Sequence, residues 1–114
     1  MKIFKKALLL ISCICLLTVL GCSSPTGIGK ILDNTSEYEG KTLTIKGTVS
    51  DVTWISLVEQ GIYKLTDKSG GIWVFSKQEP PAAGKSVTVE GTVKSAFVLL
   101  GQSYGTVLVE KEKE

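Results

Sequence analysis

GKTLTIKGTVS, residues 40–50, returns 44 positions later as GKSVTVEGTVK, residues 84–94. In each stretch a Gly-Lys pair leads into strict alternation and ends on Gly-Thr-Val. One face of the first stretch carries Leu43, Ile45, Gly47 and Val49, and the other carries Thr42, Thr44, Lys46, Thr48 and Ser50. The second sets Val87, Val89, Gly91 and Val93 against Ser86, Thr88, Glu90, Thr92 and Lys94. A period of two with one apolar face is the pattern of a half-buried strand. The glycine on the apolar face is the unusual part, because it packs nothing and weakens a flat strand. It is useful where a strand bends sharply around a barrel. Two strands with an inward glycine at the same position are therefore read as the two strongly curved strands of a small closed barrel. Duplication of half a domain is the alternative, but the similarity stops after Lys94, where a repeat should continue.

Working outward, residues 61–67 and 71–76 form two more strands around Lys68-Ser69-Gly70. Asp67 supplies a side-chain acceptor for that turn and the glycines supply conformational freedom. Glu79-Pro80-Pro81 excludes both a ladder and a full helix. The last strand is read at residues 106–110, followed by a charged tail at 111–114. Ahead of the first curved strand, Ile28, Ile31, Leu32, Thr35 and Tyr38 share one face of a short amphipathic helix over residues 28–38, with Gly40 as its stop.

The run Gly47-Thr-Val, Gly61-Ile-Tyr-Lys-Leu-Thr-Asp67, Ser69-Gly-Gly-Ile-Trp-Val74 and Gly84-Lys-x-Val-x-Val-x-Gly91-x-Val93 resembles the OB-fold superfamily in its anticodon-binding-like form. The resemblance covers residues 43–109. It implies an all-β, five-stranded Greek-key barrel whose strands two and three bind oligonucleotides or oligosaccharides. One departure stands out: the helix common between strands three and four is replaced by the Pro-Pro loop. The N-terminal helix is expected to plug the barrel end instead.

The chain opens on Met1-Lys2-Ile3-Phe4-Lys5-Lys6 and an uncharged run at residues 7–20, a secretory signal too short to span a bilayer comfortably. Val19-Leu20-Gly21-Cys22 resembles the lipobox of bacterial lipoproteins, with Val19 where Leu is usual. The resemblance implies cleavage before Cys22 and acylation of its sulfur and amine. A plain signal peptide ending on a chance cysteine is the alternative. Residues 1–21 are thus read as signal peptide, 22–29 as acylated tether and 30–110 as the OB domain. Two or three acyl chains, at about 0.8 kcal/mol per buried methylene, would hold the protein on a membrane. The expected location is extracytoplasmic and lipid-anchored. With Ser23 and Ser24 rather than Asp after Cys22, that means the outer membrane facing the periplasm in a two-membrane bacterium, and otherwise the outer face of the cell membrane. Cys13 and Cys15 leave with the signal, so no disulfide forms.

Cleavage also reverses the charge. The whole chain carries 13 lysines, 11 acids and a net +2; loss of Lys2, Lys5 and Lys6 makes it −1. Arg and His are absent throughout, which removes the bidentate phosphate reader and the commonest metal ligand and proton shuttle. Without His and without a free thiol no Ser-His or Cys-His pair can form, so no catalytic residue is assigned. Asp51, Glu59 and Asp67 lack metal-ligand spacing, so neither a metal nor a cofactor is expected.

What remains is a surface. If Ile72 and Val74 point inward, Trp73 and Phe75 point outward, joined by Lys64 and Thr66 from the neighbouring strand, with Trp54 and Phe97 rimming the same cleft. Aromatic faces beside lysines stack successive bases at about 1–3 kcal/mol per base. The candidate ligand is single-stranded nucleic acid or an oligosaccharide. Against nucleic acid stands the net charge of −1, since phosphate affinity comes mainly from counterion release. The competing class is a protein-interaction lipoprotein whose outward aromatics stiffen the sheet or meet an envelope protein.

Overall fold

The computed structural model describes residues 24–112. Two short helices, α1 (Ile28–Asp33) and α2 (Thr35–Tyr38), precede five strands: β1 (Thr42–Ile55), β2 (Gln60–Thr66), β3 (Gly71–Ser76), β4 (Ser86–Leu99) and β5 (Gln102–Glu110). The strands close in the order β1-β2-β3-β5-β4. All neighbours are antiparallel except β3 and β5, whose parallel pairing of residues 73–75 with 107–109 completes the ring.

The repeated stretch does the work its glycines imply. β1 pairs with β4 up to Thr48 and with β2 from Thr48 onward, so Gly47 sits where the strand passes from one neighbour to the other. A Cβ on Gly47 would lie 2.6 Å from the Thr66 carbonyl oxygen, and one on Gly91 would strike the Val109 carbonyl oxygen. Only a residue without a side chain lets the backbones approach this closely. Ile45, Val49, Val89 and Val93 fill the barrel from these two strands and meet Tyr63, Leu65, Ile72, Val74 and Leu108.

The expected single helix over 28–38 is instead two turns broken at Asn34. The Thr35 hydroxyl turns back on the carbonyls of Leu32 and Ile31, and the Asn34 amide donates to the Lys30 carbonyl. Such side-chain bonds compete with the helix ladder. Ile28 and Ile31 are fully buried in the barrel core, whereas Leu32 is exposed. The helical segment is thus the plug, and it is fastened from a distance. N-cap Gly27 offers no side chain, and Asp67 takes its place, with Oδ2 accepting from the Ile28 amide at 2.9 Å. Asp67 Oδ1 meanwhile accepts from the Ser69 amide, the Ser69 hydroxyl and the Gly70 amide. One carboxylate therefore shapes the β2–β3 turn and caps the plug.

Three strands run longer than the sequence suggests. β1 continues to Ile55, β4 to Leu99, and β5 begins at Gln102 rather than 106, so two hairpin arms project from the ring. Each curved strand carries a non-glycine residue at φ 51 soon after its Gly-Thr-Val, Asp51 in β1 and Ala96 in β4. Register shifts between Ser50 and Thr53, and again between Lys94 and Phe97, mark bulges at these points. An extra residue inverts the alternation beyond it. Ile55, Phe97 and Leu99, odd-numbered like the inward residues before the bulges, therefore pack on the outer side of the sheet.

The lipobox, Cys22 and residues 1–23 lie outside the described residues, as do residues 113–114 of the tail. Among the described residues no helix is long and apolar enough to cross a membrane.

Candidate nucleic-acid interface

β2 and β3 set their outward residues side by side: Lys64 opposite Trp73, Ile62 opposite Phe75 and Thr66 opposite Gly71. Tyr63, Leu65, Ile72 and Val74 point into the barrel. The Lys64 ammonium lies 5.8 Å from the centroid of the Trp73 ring, a cation–π pair across the two strands. Trp73 is half-buried, Lys64 partly covered and Thr66 exposed. Lys64, Thr66 and Trp73 are thus brought together as expected.

Phe75 is outward but not exposed; its residual accessibility is 1 %. The β4–β5 arm folds over it, with Phe97 at 4.6 Å and Tyr104 edge-on at 4.9 Å between ring centroids. Tyr104 also meets Trp73 edge-on at 6.0 Å. Ile62, Phe75 and Val107 form a second small core on the outside of the barrel, closed by Ile55, Phe97, Leu99 and Tyr104. Phe75 and Phe97 serve each other rather than offering two open stacking faces, and this corrects the expectation of an open cleft between the arms. Aromatic contacts of this kind add about 0.5–1.5 kcal/mol beyond burial. The arm is also pinned at its base, because Glu39, just after α2, accepts from the Ser95 amide at 2.7 Å and from the Ser95 hydroxyl. Those two bonds hold the Glu39 carboxyl below its ordinary pKa.

Trp54 belongs to a different place. It is 45 % exposed and lines a groove of about 470 Å³ with Val52, Glu79 and Pro80, while its neighbour Ile55 faces the outer core. Trp54 and Trp73 therefore do not share a cleft. Leu57, at the tip of the β1–β2 arm, is 84 % exposed.

Sequence reasoning missed Tyr104, whose ring touches both Trp73 and Phe75. The available signal was the alternation around Gly101, where Leu100 and Gly101, at φ 50 and 79, make a hairpin turn. Among the described residues no group of three acidic or thiol side chains could hold a metal ion.

A five-stranded closed barrel in this order, with a two-stranded outward platform flanked by arms, is an OB-type fold. Structural comparison agrees. The chain is similar to asparaginyl-tRNA synthetase from Pyrococcus horikoshii, with TM-score 0.53 and 17 % identity over 67 % of this chain and 19 % of that one. It is also similar to a putative aspartyl-tRNA synthetase from Leishmania major, with TM-score 0.59 and 21 % identity over 78 % of this chain and 20 % of that one. At such identities the likeness concerns the fold, and this chain spans about a fifth of either synthetase. No protein-family model matches the chain, and no curated protein matches its sequence.

Proposed function

We propose that this protein is a non-enzymatic binding module, held on a bacterial membrane by acyl chains on Cys22, that takes single-stranded nucleic acid on the outward face of β2 and β3. The observation that carries the ligand class is the Lys64–Trp73 pair, an ammonium over an indole with Thr66 and Ser50 beside it in register. A π-face next to a cation is what a base and its phosphate require together. The synthetases of like fold have tRNA in their names, and the anticodon-binding-like sequence resemblance points the same way.

Because Phe75 is covered, the platform offers one ring rather than two, so the expected affinity is modest. The test is fluorescence titration of the Trp54→Phe chain with oligothymidylate, in which all indole emission comes from Trp73. Quenching that weakens steeply with salt supports the proposal. An unchanged Trp73 signal at low salt defeats it.

A second reading is favoured by the separate groove at Trp54, Val52 and Pro80 and by exposed Leu57: a docking surface for an envelope protein. In that case Trp54 rather than Trp73 would respond, to a protein partner and not to DNA.

A further inference from the structure

Beside the Lys64–Trp73 platform lies an open recess of about 750 Å³ that the sequence does not announce. Its floor is a row of three hydroxyls from three strands: Thr48 of β1 faces Thr66 of β2 on one side and Ser86 of β4 on the other. Lys46 and Lys68 also line it, as does the segment leading into α1, with Thr26. That segment is fixed in place, since the Thr26 amide donates to the Thr44 carbonyl at 2.7 Å.

Its chemistry is that of an anion site. Neither Lys46 nor Lys68 has an ion-pair partner among the described residues, and the hydroxyls of Thr48, Thr66 and Ser86 make no hydrogen bond to any of them. All five groups are thus left to donate. The one carboxylate lining the recess, Asp67, is occupied by four donated hydrogen bonds at 2.6–3.1 Å. Partial burial alone would raise its pKa, but the bonds from Ile28, Ser69 and Gly70 hold it below its ordinary value. Its charge is therefore already directed into the plug and the turn.

Position then selects the anion. Thr66 lies two residues along β2 from Lys64 on the same face, about 7 Å away at strand rise. Ser50, at the rim, is paired directly with Lys64. The recess therefore continues the platform across β2 and β1, at the distance of a neighbouring nucleotide rather than of the stacked base itself.

We infer that the recess binds a backbone phosphate of the single strand whose base lies at Trp73, with Lys46 and Lys68 as its cations and Thr48, Thr66 and Ser86 as its neutral donors. This rests on the reading of the platform as a nucleic-acid surface.

Oligothymidylate titrations at several salt concentrations, in the Trp54→Phe background, test it with and without Lys46→Ala and Lys68→Ala. Each phosphate contact on a single strand contributes about 0.7 to the slope of log affinity against log salt. Removing both lysines, and with them the one phosphate contact, is expected to flatten the slope by about 0.7 while Trp73 quenching at saturation stays the same. Binding with an unchanged slope would overturn the recess and leave the platform standing. If the parent chain binds no oligonucleotide at all, the platform reading fails and this assignment with it. Amide shifts at Thr48, Thr66 and Ser86 with inorganic phosphate and with phosphatidylglycerol vesicles would then transfer the recess to a lipid headgroup. No amide shift with either would remove it as an anion site.

Discussion

Replacing Gly47 or Gly91 with Ala puts the curled-strand argument under direct strain. Two effects oppose each other. Alanine narrows the unfolded ensemble and, where the native backbone accepts it, stabilises by about 0.4–1 kcal/mol. Against this, the new Cβ at residue 47 would meet the Thr66 carbonyl oxygen at 2.6 Å, its carbon at 2.9 Å and Leu65 Cγ at 3.1 Å. At residue 91 it would meet the Val109 carbonyl oxygen and lie 2.9 Å from Leu108 Cγ. Contacts between carbon atoms are most favourable at about 3.5–4 Å, so β2 or β5 must retreat. The nearest obstacles are backbone atoms of the neighbouring strands, which cannot rotate aside. Overpacking of this kind costs about 1–3 kcal/mol, more than the entropic gain. In a domain of this size each kcal/mol moves the melting midpoint by about 4–8 °C. Urea unfolding followed by tryptophan fluorescence, alongside thermal melts, measures both. Gly70→Ala is the control, because its Cβ would meet nothing closer than Leu32 Cδ1 at 3.5 Å, and its effect should stay within about 0.5 kcal/mol. If Gly47→Ala and Gly91→Ala cost no more than the control, the strands are not curled tightly enough to need glycine and the barrel argument is wrong.

Tyr63 is fully buried with no hydrogen-bond partner for its hydroxyl; burial, and then the nearby Glu110 carboxylate, push its pKa upward. Glu110 lies close enough to act on the phenol through its charge, but not in the geometry of a hydrogen bond. Tyr63→Phe is expected to stabilise the fold by about 1–3 kcal/mol, and urea midpoints at neutral pH should show the gain. The raised pKa adds stability that is complete below pH 10 and lost as the pH climbs beyond it, because the unfolded chain releases this proton first. The alkaline loss should shrink in Tyr63→Phe, and equal losses in parent and variant would exclude Tyr63 as its source. Phe97→Ala removes one of the two rings over Phe75 and should cost about 2 kcal/mol, the ring being partly buried. Hydrogen exchange should quicken at Val98 and Ser103 in the arm while Ile45 in the barrel stays protected; uniform quickening would mean that the arm is part of the global unit.

The barrel was legible because its requirements are local. An inward glycine between alternating apolar residues announces a bend wherever it occurs, and Gly47 and Gly91 announce it twice. Asp67 with Ser69 and Gly70 likewise writes its turn into adjacent positions. The second duty of that carboxylate, capping α1 from 39 residues away, was not legible, because nothing near Ile28 encodes it. Lys64 and Trp73 could be placed as outward neighbours from strand parity alone. Parity does not survive a bulge, so it could not place Phe97 or Ile55, and Ala96 at φ 51 has no residue type that signals one.

The sequence by itself determined the ring, through alternation, turn residues and two glycines whose chemistry acts over a few neighbouring positions. Only the tertiary structure decided which part of the outer surface stays open. The left-handed Ala96 turns the end of β4 over, so that Phe97 packs on Phe75, where Tyr104 of β5 joins it. Strand register brings Thr48, Thr66 and Ser86, distant in the chain, into one row. Both outcomes depend on contacts between segments far apart in sequence, where no local pattern records which face meets which.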